Sequence, residues 1–239
     1  GSFNSGKKRD NYNLDDKNAN HIQVETGTTQ MDFYNMTLEN GNYAYRSPKT
    51  ITAAVEQKVT DFKTFAAMPQ AQFNTRLPEL MDVTNLVDYF ILIQIMYLPD
   101  NLGNNIMLTR WSDKFLFMPY DLDNSFGLDW SGSVIHPTNL NPIDNKPDLP
   151  ANTVQFWHKI KIALSTQIAA RYQQLKTDGI VSEDAVYTIL KEMEIKFGQS
   201  NYKREFARWT LPSAGITSLQ QILTWYKQRL VWCDSYLLN

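Results

Sequence analysis

Residues 99–127 read PDNLGNNIMLTRWSDKFLFMPYDLDNSFG, with polar residues at both ends and two largely apolar runs between them. Two short runs rich in apolar and aromatic residues, Ile106–Trp111 and Lys114–Met118, are separated by Ser112 and Asp113. That pattern is typical of a β-hairpin. The sequence therefore predicts two antiparallel strands that pair symmetrically about a two-residue turn.

The symmetric register predicts that polar residues meet at the open end of this hairpin. Asn104 and Asn105 would lie opposite Asp121 and Tyr120, and opposed residues in such a pair are only about 5 Å apart. Asp100 lies in the loop that leads into the first strand. Amide and carboxylate oxygens are the ligands that hard divalent cations prefer, so this end is a candidate cation site.

The spacing of these groups suits phosphoryl transfer. Asp100 and Asn105 have the same separation as the catalytic Asp and the metal-binding Asn of protein kinases. The reaction needs oxygen ligands for Mg²⁺ and an acid that orients the attacking hydroxyl, which Asp121, Asn105 and Asp100 would supply. The alternative from the residues alone is structural: Asp121 and Asp123 would cap the hairpin end while the Asn residues form turns.

An EF-hand-like calcium loop starting at Asp121 is not favoured. The sixth position should be Gly and is Phe126, and the twelfth should be Glu and is Gly132. The three histidines, His21, His136 and His158, are too scattered in sequence to indicate a metal triad.

Composition indicates an ordinary globular protein. Hydrophobic residues make up 43% of the chain, charged residues 20%, and the formal net charge is −2. Nothing in this balance points to nucleic acid or an anionic membrane as a partner. The longest apolar run, Leu86–Leu98, is too short to span a bilayer. The single cysteine, Cys233, excludes an internal disulfide and is predicted to lie in the core.

Apolar spacing predicts a mainly helical (α+β) chain around the central hairpin. Asp82 is a candidate N-cap for an apolar helix over Val83–Leu98, and Ser182 and Ser218 are candidate caps of two later helices. The predicted helices cover residues 50–67, 83–98, 153–175, 183–197, 202–209 and 219–237.

Two segments are predicted to be loops. Residues 1–45 are rich in Asn, Asp, Gly and Lys, with a short strand at His21–Glu25, and the basic run at residues 7–9 is expected to be solvated. Residues 129–152 contain four prolines, and an internal loop of that length is usually functional or mobile. We therefore divide the chain at residue 45.

The stretch from Asp82 to Asn105, followed by Phe117-Met-Pro-Tyr-Asp-Leu-Asp-Asn-Ser-Phe-Gly127, resembles the spore coat protein H (CotH) kinase family. The similarity covers most of residues 46–239 and is most specific at Asp-Leu-Asp-x-x-Phe-Gly. Further similarity lies at Arg171-Tyr172, at Arg204–Trp209 and around Arg229. Tyr120 stands where the family usually has Trp.

The resemblance implies the C-terminal lobe of an atypical protein kinase that uses ATP and Mg²⁺ or Mn²⁺ to phosphorylate serine on spore coat or cell-surface proteins. Asp100 would be the catalytic acid, Asn105 a metal and nucleotide ligand, Asp121 the principal metal ligand and Asp123 a second one. The family's ATP-binding N-terminal lobe would precede residue 1, so the expectation is that this fragment alone is inactive.

Two other functions are compatible with the residues. A pseudokinase or structural coat protein would keep the helices while the acids only cap loops. A carbohydrate-processing enzyme would use two of Asp100, Asp121 and Asp123, held about 5–10 Å apart, as acid and base.

Overall fold

In a computed structural model, the residues described are 22–26, 30–37, 43–47, 50–111, 113–129, 131, 134–208 and 218–239. They include a four-stranded antiparallel sheet in the order β2-β1-β3-β4. Its strands are β1 (Ile22–Thr26), β2 (Tyr43–Ser47), β3 (Ile106–Trp111) and β4 (Lys114–Pro119). Since β3 lies between two other strands, its residues are buried except the last.

The predicted hairpin and its register are confirmed. Ile106 pairs with Pro119 and Trp111 with Lys114, so the turn is the two-residue one expected. The ladder continues past the strands, because the Tyr120 N–H donates to the Asn105 carbonyl at 3.2 Å.

Helices dominate the rest of the described chain, which confirms the mainly α (α+β) prediction. They are α1 (Ala53–Ala67), α2 (Gln70–Leu80), α3 (Val83–Met96), α4 (Ala151–Ala163), α5 (Ser165–Thr177), α6 (Glu183–Phe197), α7 (Gln199–Arg208) and α8 (Leu219–Leu237). None of the helices in the described ranges has the length and apolar character needed to cross a membrane.

The predicted caps form. Side-chain oxygens of Asp82, Ser182 and Ser218 accept hydrogen bonds from backbone N–H groups in the first turns of α3, α6 and α8. Thr52 likewise caps α1, so Ile51 falls before the helix and is exposed, although its spacing had placed it on the apolar face.

Two helical segments differ from the sequence reading. Helix α2 was not predicted; only Phe73 and Leu77 are buried in it, which leaves little apolar periodicity to detect. The helix predicted over residues 153–175 is broken at Leu164, between α4 and α5.

The chain forms two compact units. The first consists of Gly1–Tyr89, Pro99–Asp121 and Lys146–Leu164. Its core is aromatic: the ring of Phe33 lies 5.0 Å from that of Phe156, and Phe65 and Phe73 stack at 4.5 Å.

The segment from Met31 to Met36 contributes to this first core. Met31, Phe33 and Met36 are fully buried. The Thr153 hydroxyl donates to the Met31 carbonyl at 2.6 Å and accepts from the Phe33 N–H at 3.2 Å. The division of the chain predicted at residue 45 stays a prediction. The predicted basic run, residues 7–9, lies outside the described residues, as do His21, Gly132 and Trp209.

The second unit consists of Phe90–Leu98, Leu122–Asn145 and Ser165–Asn239. Its core is built around Tyr97, Trp225 and Tyr226. Arg229 is also fully buried, and its guanidinium donates to the carbonyls of Gln94, Thr138 and Leu140 at 2.5–2.9 Å. Cys233 is fully buried, as predicted.

Candidate active site

Asp100 opens a short 3₁₀ turn, Asp100–Leu102, that leads from the end of α3 into β3. The Asp100 carbonyl accepts a hydrogen bond from the Asn104 N–H at 2.8 Å, which closes the turn. Two buried side chains hold it from outside: the Tyr89 hydroxyl donates to the Asn101 carbonyl at 2.7 Å, and the Trp157 indole N–H donates to the Leu102 carbonyl at 2.8 Å. The backbone around Asp100 is therefore fixed by the core.

Asn101 joins this turn to the open end of the hairpin. Its side chain is only 2% exposed. The amide nitrogen donates to the Asn105 carbonyl at 2.7 Å and to the Tyr120 carbonyl at 3.0 Å. One amide thus binds both strand ends, at Asn105 and next to Asp121, which are two of the three residues predicted to hold a metal.

Asn105 and Asp121 share an unusual backbone conformation. Their φ angles are +48° and +53°, in the left-handed region that few residues other than Gly adopt. The Asn105 side-chain amide reaches the Asp121 carbonyl at 3.4 Å. Strain of this kind costs up to about 1–3 kcal/mol per residue and is least for Asn and Asp, and Tyr97 and Phe126 also have positive φ outside this pair.

Lys146, which sequence reasoning missed, lies against Asp100. Its ammonium is 2.7 Å from Asp100 Oδ1 and 3.1 Å from Asp148 Oδ1. Burial would by itself lower the pKa of Lys146, but hydrogen bonds and charge from Asp100 and Asp148 outweigh it and raise that pKa. The lysine is therefore positively charged beside the candidate catalytic acid.

Asp123 lies in the second unit and is exposed. The Phe-Gly pair that follows it is tightly held within that unit: Phe126 has φ +55°, and its N–H donates to the Met96 carbonyl at 2.9 Å. Gly127 has φ +81°, and a Cβ there would lie 2.3 Å from the Trp225 indole nitrogen. Only glycine fits at this position.

The oxygen donors of Asp121 and Asn105 suit a hard divalent cation whose coordination shell is completed by other ligands. In the part of the chain that is described, no three His, Cys, Asp or Glu side chains cluster as a metal site would require. That Asp121 and Asn105 hold a cation stays a prediction, and Mg²⁺ usually takes one or two protein groups plus substrate phosphates and water. These residues fit that chemistry.

Asn101, Lys146 and Asp148 are the site residues that the sequence did not reveal. Asn101 is one of several Asn residues within residues 99–127. Only the fold shows that its side chain donates hydrogen bonds to two backbone carbonyls. The one available signal for Lys146 was the prediction that residues 129–152 form a functional loop.

Comparison with protein families places the whole site inside one match. The family model described as CotH kinase protein matches residues 4–233. A comparison with curated proteins returned no match.

Proposed function

Because this chain belongs to the CotH kinase family, we propose that it transfers the γ-phosphoryl group of ATP to a serine hydroxyl of a spore coat or bacterial surface protein. The observation that supports the proposal is the pair Asn105 and Asp121, both with positive φ and joined by an amide-to-carbonyl contact of 3.4 Å, beside the turn that carries Asp100. The kinase-like lobe predicted from the sequence is part of this proposal. The proposal departs from the sequence-based expectation that the fragment alone is inactive: because the family model matches residues 4–233, we propose that this chain carries out the transfer itself.

The proposed reaction is an in-line displacement. The serine oxygen forms a bond to the γ-phosphorus while the bond from that phosphorus to the β,γ-bridging oxygen breaks, and the electron pair leaves with ADP. Asp100 accepts the hydroxyl proton and later releases it to solvent. The products are phosphoserine and ADP.

Asp121 and Asn105 would hold the divalent cation, and the role of Asp123 as a second ligand stays a prediction from the sequence. When bound, Mg²⁺ or Mn²⁺ neutralises charge on the phosphate oxygens. The protein's own contribution is positional: Asn101, Tyr89 and Trp157 fix the backbone that presents Asp100 and Asn105. Because positioning and electrostatics supply almost all of the catalysis in phosphoryl transfer, a fixed backbone matters here.

The test begins with calorimetric titration of Mn²⁺, with and without ATP, into the protein and three variants. Asp121→Asn should weaken Mn²⁺–ATP binding at least tenfold, whereas Asp100→Asn should leave it within about twofold. The matched control is Asp113→Asn, since Asp113 is an exposed acid at the opposite end of the same hairpin.

Transfer is then measured by mass spectrometry on a serine peptide library with Mn²⁺–ATP. We expect phosphoserine with the unchanged protein and with Asp113→Asn, and a loss of about 100-fold or more with Asp100→Asn. Binding without any transfer would refute the kinase proposal and favour the pseudokinase alternative. Absence of Mn²⁺–ATP binding would refute both and favour a structural protein.

A further inference from the structure

Lys146, which lies just before α4, places a partly buried ammonium against Asp100. Lys146 is 18% exposed and Asp100 is 16% exposed, and their charged atoms lie 2.7 Å apart. That distance is typical of a charge-assisted hydrogen bond. The pair is therefore largely shielded from the solvent that weakens surface ion pairs.

The position of Lys146 is fixed by its surroundings. Asp148, which is 60% exposed, contacts the same ammonium at 3.1 Å. The Leu149 N–H donates to the Lys146 carbonyl at 3.1 Å and closes a turn just before α4. Leu149 packs so closely on the Asp100 turn that a Cβ at Gly103 would lie 2.8 Å from its Cδ1.

We propose that Lys146 is a positioning residue for Asp100, holding its carboxylate in the orientation that receives the serine proton. The inference rests on the proposed kinase function and adds a residue to it. An ammonium bonded at Oδ1 restricts the rotation of the carboxylate, so the range of directions in which it accepts a proton is narrowed before the substrate binds. Asp148 is needed because a lysine side chain is long and flexible and requires its own anchor.

The kinetic test compares Lys146→Met with Lys146→Arg. The methionine variant keeps most of the length of the side chain and removes the charge, and kcat should fall about 100-fold while KM for ATP changes less than about twofold. Arginine restores a cation that bonds a carboxylate, so it should recover at least about a tenth of the lost rate. Asp148→Asn should lower kcat by about tenfold, because the anchor of Lys146 is weakened.

Lys191→Met is the matched control, since Lys191 pairs with Glu194 at 2.5 Å on the exposed side of α6. It should leave kcat and KM unchanged. Equal kcat values for Lys146→Met and Lys191→Met would overturn the inference, and so would a loss confined to KM. Thermal melting of each variant identifies any that fails to fold, and Asp148→Asn then carries the test.

A second readout does not depend on kinase activity. Acetic anhydride modifies only the neutral amine of lysine, so pairing with carboxylates should protect Lys146. Asp100→Asn should raise its modification rate about tenfold, whereas Asp234→Asn, which breaks the Lys176–Asp234 pair, should leave it unchanged. If Lys146 is protected but no transfer occurs in the unchanged protein, the proposed function fails; if Lys146 modifies freely while transfer occurs, the positioning role fails.

Discussion

Replacement of Asn101 by alanine tests whether one buried amide holds the candidate site together. The change removes two hydrogen bonds, to the carbonyls of Asn105 at 2.7 Å and Tyr120 at 3.0 Å. A buried carbonyl left without its donor costs about 1–3 kcal/mol. Both carbonyls are only partly buried and Asn105 keeps the bond from the Tyr120 N–H, so the expected loss is toward the lower part of the combined range, about 2–4 kcal/mol.

Asn85 provides a control of the same residue type. Its side chain also makes two bonds to the hairpin backbone, accepting from the Phe117 N–H at 2.8 Å and donating to the Phe117 carbonyl at 3.0 Å. These bonds lie in the middle of β4 rather than at its open end. Asn85→Ala should therefore destabilise the protein by a similar amount without disturbing Asn105 and Asp121.

The two variants are compared by urea unfolding and by calorimetric titration of Mn²⁺–ATP. Both should lower the free energy of unfolding, but only Asn101→Ala should weaken Mn²⁺–ATP binding, by about tenfold or more, because the strained ends of the hairpin relax. Equal affinities in the two variants would refute the reasoning, whatever their stabilities.

Three further predictions concern the second unit. Gly127→Ala should lower the free energy of unfolding by about 2–5 kcal/mol, because φ is positive there and the new Cβ collides with Trp225. Gly179 has φ +74° but nothing within 4 Å, so Gly179→Ala should cost only about 1–2 kcal/mol. Equal costs in urea unfolding would contradict the collision. Burial raises the pKa of Cys233 from 9.0 to about 12, so the thiol of the unfolded chain ionises at lower pH than that of the folded protein. The free energy of unfolding should therefore fall between these two pH values, by up to about 1.4 kcal/mol per pH unit. In Cys233→Ala the slope of the free energy of unfolding against pH should be shallower. Arg229→Lys should cost about 3 kcal/mol or more, measured by thermal melting, since an ammonium cannot reproduce the guanidinium's bonds to three backbone carbonyls.

The hairpin could be predicted because its information is local. Two runs rich in apolar and aromatic residues on either side of a two-residue turn predict the hairpin, and symmetric pairing about that turn places Asn105 opposite Tyr120, next to Asp121. The helix caps were predictable for the same reason, since Asp82, Ser182 and Ser218 bond to N–H groups only three residues away. Neither inference needs knowledge of the tertiary fold.

The break between α4 and α5 could not be predicted from spacing. Ile160, Leu164 and Ile168 are all buried, so the apolar period of a helix continues without interruption. The break nevertheless falls at Leu164, which is the last residue of the first compact unit. Periodicity records that a residue is buried but not which core it enters.

The residues that complete the candidate site were hidden because their role lies in contacts between distant parts of the chain. Lys146 is 46 positions from Asp100, and an isolated Lys between Asn and Pro reads as an exposed loop residue. Asn101 looks like any turn-forming Asn until its amide is seen to bond both ends of the hairpin. The sequence therefore predicted the groups proposed to meet the metal and the proton, while the groups that orient them required the structure. Local patterns in the sequence indicate which chemical groups are present, whereas long-range contacts determine whether those groups are held in a fixed orientation. The Asn101 and Lys146 variants measure the contribution of these long-range contacts.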